Sequence, residues 1–189
     1  MFRGASSATV GRICFIGGVA NFRWGTPRLT NLPNLTLLTE LGGEAAYTAA
    51  PLAEFESRIS DAAKFALRNR VLLLRTSDGS GLDVAPGAMP FEASAIARSS
   101  NVERIRGSTL RTCSAEDRIV HTAFAARPQD WVDIDGVILK HRELLRWPQI
   151  WSELGVLAER KEAPELLPEL DRLATRTESV VDPFSQARP

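Results

Sequence analysis

The sequence predicts an α+β chain, with a small mixed sheet in front and a helical subdomain behind it. Two observations carry that expectation. Short apolar runs bounded by Gly and Pro recur as far as Arg111, and helical periodicity takes over from Ser114 onward. No internal repeat links the two halves. The expected boundaries are 1–112 for the α/β core, 113–176 for the helical subdomain and 177–189 for a loose tail without periodicity. A chain of 189 residues suits one ordinary domain, and such a domain hides roughly 70% of the surface its unfolded chain exposes.

Each element has a local reason. Ile13-Cys14-Phe15-Ile16 is an apolar run ended by Gly17-Gly18, which reads as a buried strand breaking into a turn. Val19 to Trp24 follow as a short helix closed by Gly25 and Pro27. Leu35-Thr36-Leu37-Leu38 is a second strand; Pro33 is tolerated because it stands at the strand start. Leu52, Phe55 and Ile59 fall at helical spacing, so a helix is expected from Glu44 to Ile59 despite Pro51 in its middle. Arg70 to Thr76 and Gly81 to Ala85 flank Ser77-Asp78-Gly79-Ser80, a hairpin signal.

Glu92 to Arg98 reads as a helix entered at Pro90, and Val102 to Arg106 with Thr109 to Arg111 as a hairpin turning at Gly107-Ser108. Ser114 with an acid at Asp117 resembles a capping box ahead of Ile119, Val120, Ala123 and Phe124. Pro128 suits the first turn of the next helix, whose Trp131, Ile134 and Ile138 share a face. Pro148 opens a helix with Trp151, Leu154 and Leu157, and Leu166, Leu167, Leu170 and Leu173 form the last apolar stripe.

Composition excludes several functions. Hydrophobic residues at 44% and charged ones at 24% exclude a disordered or fibrous chain. Lys plus Arg and Asp plus Glu are equal at 23 each, so no global basic field draws nucleic acid or an anionic membrane. No apolar stretch is long enough to span a bilayer, and Met1 to Gly11 do not read as a signal peptide. Cys14 and Cys113 supply neither a disulfide framework nor a zinc pattern, so a reducing cytoplasm is the expected location.

His121 and His141 lack matching ligand spacing for zinc. No G-x-G-x-x-G, P-loop or G-x-S-x-G pattern is present. Trp131, Trp147 and Trp151 read as helical core rather than a base-stacking platform. Before Glu40 the only charged side chains are Arg3, Arg12, Arg23 and Arg28.

Gly17-Gly18 would let backbone amides approach a phosphate, although the same pair serves a plain strand-to-helix turn. A longer series carries more. Phe15-Ile16-Gly17-Gly18-Val19-Ala20, Arg23-Trp24-Gly25, Pro27-Arg28-Leu29-Thr30, Leu35-Thr36-Leu37-Leu38 and Gly81-Leu82-Asp83-Val84-Ala85 occur in order. Gly87 to Glu92, Leu110 to Asp117, Ala123-Phe124-Ala125 and Arg127-Pro128-Gln129-Asp130-Trp131 continue it. Over about Ile13 to Leu173 this series resembles the AbiEii-like group of bacterial nucleotidyltransferase-fold proteins, linked with type IV toxin–antitoxin systems.

The resemblance implies transfer of a nucleotide from an NTP to RNA or protein, with Mg²⁺ or Mn²⁺ bridging phosphate oxygens, and a cognate antitoxin as partner. It assigns nucleotide contacts to Gly17, Gly18, Thr30 and Arg127, and a metal-binding, catalytic carboxylate to Asp83. The departures from the family pattern fall on the metal site. The expected Arg-Asp-x-Asp-Leu reads Asn31-Leu32-Pro33-Asn34-Leu35, so the two acids become Leu32, without a ligand atom, and Asn34, a neutral amide. A Lys that members often carry is Thr122 here. Arg127, Asp130 and Asp133 fit either a phosphate site or a solvated helix face.

Three readings stand on these residues: a nucleotidyltransferase, a degenerate member that is weakly active or inactive, and a non-catalytic nucleotide-binding or protein-interaction module.

Overall fold

A computed structural model describes residues 13–27, 32–39, 42–105 and 108–176. Arg28, Thr30, Arg106, Gly107 and the residues from Thr177 onward lie outside the described residues.

The first described strand lies inside the sheet, between two neighbours. β1 (Ile13–Ile16) pairs antiparallel with β2 (Asn34–Leu38) on one side, and in parallel with β7 (Ser108–Thr112) on the other. β2 pairs in parallel with β5 (Gly81–Gly87). The hairpin of β4 (Leu72–Arg75) with β5 and that of β6 (Ser100–Ile105) with β7 extend the sheet, and β3 (Glu56–Ser57) closes one edge. Among the described residues the mixed sheet has seven strands, in the order β3-β4-β5-β2-β1-β7-β6. Ile13, Cys14 and Phe15 are all buried, as a strand covered on both faces requires.

Alternation along the strands sorts the two faces. Phe15, Leu35, Leu37, Leu72, Leu74, Leu82 and Val84 share one core with Ala62 and Ala66 of α3 (Ala62–Asn69). Tyr47 and Leu52 of α2 (Glu44–Glu54) pack against the same core. On the opposite face, Cys14 and Cys113 meet Ala20 of α1 (Gly17–Trp24) and Ile96 of α4 (Pro90–Arg98). Two cysteines 99 positions apart in number thus share one cluster, both as buried free thiols.

A third core fills the helical layer of α5 (Ala115–Ala125), α6 (Pro128–His141), α7 (Trp147–Lys161) and α8 (Leu166–Thr175). Ile119, Ile134, Ile138, Ile150, Leu154 and Leu170 are among its fully buried members. Trp131, Trp147 and Trp151 pack against it, the last two stacked at 5.9 Å. Ser114 caps α5 as expected, its hydroxyl accepting from the Asp117 amide at 3.1 Å.

Ion pairs and hydrogen bonds join the elements of the two layers. The Asp117 carboxylate takes Arg98 of α4 at 2.6 Å, and Arg98 reaches Glu153 of α7 at 3.1 Å. Arg118 of α5 pairs with Asp133 of α6 at 3.0 Å, both side chains almost fully enclosed. From α1, the Arg23 guanidinium donates to the Ser100 and Thr112 hydroxyls at 2.9 and 3.1 Å.

One expected element divides. The helix expected over 44–59 stops at Glu54, because Phe55 turns to extended backbone and Glu56-Ser57 pair with Leu74 and Arg75. Edge pairing outcompetes the helical spacing of Leu52, Phe55 and Ile59. Neither β3 nor α3 is expected from the sequence pattern.

Candidate functional site

The site is built at the start of β2. Ile16 is the register partner of Asn34, and Asn34 that of Asp83. Gly17 follows immediately, at φ +57°, where the chain leaves β1 for α1. A Cβ there would lie 3.1 Å from Asn34 Nδ2 and 3.4 Å from Asn34 Cβ. Glycine therefore serves both the left-handed backbone and the close approach of the next strand. Gly17, Asn34 and Asp83, assigned from distant motifs, stand side by side.

The polar groups of this cluster are largely committed. Asn34 Nδ2 donates to Leu32 O at 3.0 Å, and the Asp83 amide donates to Pro33 O at 2.9 Å. Asp83 Oδ1 accepts from Arg58 Nη2 in a salt bridge, with each side chain 22% exposed. Burial pushes the Asp83 carboxyl above its ordinary value, and the adjacent Arg58 guanidinium works against that rise. The Arg58 Nε is buried without a hydrogen-bond partner among the described residues.

Leu32 and Arg58 both lean over Gly81, one register step from Asp83 on the same strand face. A Cβ at Gly81 would collide with Leu32 Cδ2 and lie 3.3 Å from Arg58 Nη1. Arg58 is the site residue that the sequence missed. It falls within the segment read as continuous helix, and no motif links it to Asp83.

The other assigned residues are placed differently. Gly18 is buried in the first turn of α1, which carries no acidic residue in that turn. Thr30 lies outside the described residues. Arg127 stands at the start of α6, where its amide donates to Asp130 Oδ2 at 2.9 Å and its carbonyl accepts from the Asp130 amide at 2.9 Å. Asp130 thus caps the helix, whereas Asp133 is buried against Arg118, so these residues do not form one solvated face. Thr122 is buried too, its hydroxyl donating to Arg118 O at 2.6 Å.

The donor set does not fit a divalent metal. Hard cations want several anionic oxygens, and this cluster offers one carboxylate, already paired with a guanidinium. Among the described residues, no three His, Cys, Asp or Glu side chains gather as a ligand group. His121 packs its ring on Phe91 at 4.8 Å, and burial takes its pKa down to about 4. No described helix is long and apolar enough to cross a membrane.

No protein-family model matches the chain, and no curated protein matches it in sequence. Among solved structures it is similar to an antigenic nucleotidyltransferase-like protein from Paracoccidioides brasiliensis. That likeness has 15% identity and a TM-score of 0.43, and covers 84% of each chain. It is also similar to the antibiotic-resistance factor ANT(2'')-Ia, at 19% identity and a TM-score of 0.45, over 84% of this chain and 88% of that one. Neither likeness assigns a role to a residue here.

Proposed function

We propose that this chain is an AbiEii-like member of the nucleotidyltransferase superfamily whose metal site has been dismantled, so that nucleotide transfer to RNA or protein is weak or absent. One observation carries the reading. Gly17, Asn34 and Asp83 converge where neighbouring strands would present a metal site, yet among the described residues Asp83 is the sole carboxylate there. The ordered motif series from Phe15 to Trp131 supports the superfamily half of the proposal.

The energetic argument concerns activity. Metal charge contributes several kcal/mol to phosphoryl-group transfer, and each loss of about 1.4 kcal/mol is a factor of ten in rate. With Leu32 and Asn34 in place of two acids, little of that stabilisation remains. A second reading keeps nucleotide binding without turnover, through Gly17, Gly18, Thr30 and Arg127. It is favoured by the β1-to-α1 junction, whose helix start carries no acidic side chain. A cytoplasmic location, Mg²⁺ dependence in active relatives and a cognate antitoxin partner belong to the same proposal.

The test is incubation of the purified chain with radiolabelled NTPs, Mg²⁺ or Mn²⁺, and total cellular RNA. The expected result is no label transferred. Label appearing on RNA, or on the chain itself, overturns the loss of catalysis.

A further inference from the structure

We infer that Arg58 has become the resident cation of this site: it is the fixed counter-ion of Asp83, and it keeps divalent metals out even when carboxylates are supplied. This rests on the reading of Asp83 as the surviving metal carboxylate.

The placement of Arg58 is built rather than incidental. Its amide donates to Leu73 O at 3.0 Å, and Leu73 is the register partner of Asp83. The side chain therefore crosses one strand, β4, to reach the carboxylate on β5. Before it, Ser57 pairs with Leu74. After it, the Ile59 amide donates to the Ser57 hydroxyl at 3.1 Å, and that hydroxyl donates to Ile59 O at 2.7 Å. These bonds fix the backbone on both sides of Arg58. Gly81 completes the arrangement, since a Cβ there would collide with Leu32 Cδ2 and crowd the guanidinium at 3.3 Å.

The chemistry follows from the guanidinium. It stays charged at every accessible pH and holds a carboxylate through fixed N–H groups. A hydrated divalent ion can leave a weak site, but Arg58 is tethered to β3 and cannot diffuse away. An incoming metal must therefore compete for Asp83 Oδ1 and also sit a few ångströms from a positive charge. Restoring acids at 32 and 34 supplies ligands without removing that obstacle.

The experiment measures Mn²⁺ affinity by electron paramagnetic resonance, with circular dichroism to verify folding. Four proteins are compared: the native chain, Leu32→Asp/Asn34→Asp, and that pair combined with Arg58→Gln or with Arg58→Lys. The Arg58→Gln combination is expected to bind Mn²⁺ at least about tenfold more tightly than the pair alone, as removal of one adjacent charge implies. The Arg58→Lys combination, which keeps the charge, should show no such gain. Equal affinity with and without Arg58, or an equal gain from Gln and Lys, overturns the inference.

A folded Gln combination that binds no Mn²⁺ overturns the metal-site assignment and the inference together. Should that protein not fold, thermal unfolding of the native chain decides: its midpoint should be the same in Mn²⁺ and in chelator, and a rise with Mn²⁺ overturns the exclusion. Failure of the proposed function is distinguishable, because it is read from label transfer by the native chain.

Discussion

Asp117→Asn is the substitution that most directly tests how the helical layer is fastened to the sheet. The Asp117 side chain is 0% exposed and accepts from Arg98 Nη2 at 2.6 Å, from Ser114 Oγ at 2.8 Å and from Gln149 Nε2 at 3.4 Å. An amide keeps the volume but loses the charge and one acceptor oxygen. Removing one partner of a buried pair costs about 3–5 kcal/mol. Arg98 is 25% exposed and retains Glu153 at 3.1 Å, so the cost falls below that range, at about 2–3 kcal/mol. For a chain of this length that lowers the unfolding midpoint by roughly 5–10 °C.

Thermal and urea unfolding followed by circular dichroism would measure it, and Arg98→Met closes a double-mutant cycle. The two changes together should destabilise by less than their sum, by about 0.5–3 kcal/mol. A loss below about 0.5 kcal/mol, as for an ordinary surface position, would refute the account of Asp117 as a buried, charge-bearing hub.

Two glycines should respond with opposite signs. Gly17→Ala meets both a φ of +57° and the Asn34 amide at 3.1 Å, and should cost about 1–2 kcal/mol. Gly155→Ala lies inside α7 with nothing near its absent Cβ, and should add about 0.5–1 kcal/mol by removing a helix-interior glycine. Urea midpoints that move the same way would refute this contrast. Acid stability should depend on His121, whose pKa falls from 6.5 to about 4 through burial, with Asp117 opposing and Arg118 adding to the fall. The unfolded chain takes up the proton first, so stability is whole above the unfolded value and is lost as pH drops from 6.5 towards 4, by up to about 3 kcal/mol. His121→Phe should flatten that part of the pH–stability curve, and an unchanged slope would refute the assignment.

What the sequence made legible was local. The Ile13–Ile16 run, the Ser77–Ser80 turn, the Ser114 cap and the prolines at 90, 128 and 148 each act within a few residues, and each marks an element that is present. Gly17, Asn34 and Asp83 became a candidate site through a resemblance, and their adjacency then emerged from strand register. Arg58 stayed hidden because its partner lies 25 residues away, and because Phe55 and Ile59 fit a helix as well as they fit a turn into β3. The burial of Thr122 and Asp133 was equally out of reach, since helical spacing gives the face of a helix but not what covers it.

The interior position of β1 has a consequence for how the molecule is made. The β4–β5 and β6–β7 hairpins close between near neighbours, a microsecond event for such units. β1, synthesised before them all, cannot complete its own pairing until Thr112 arrives, and Trp24 waits for its bond to Cys113 O across 89 residues. Loop closure of that length is slow, and until it happens β1 offers an open edge flanked by Cys14 and Phe15. Ribosome-bound or truncated chains ending before β7 therefore carry an unsatisfied, apolar edge strand at their core, the kind of surface that joins one copy to another.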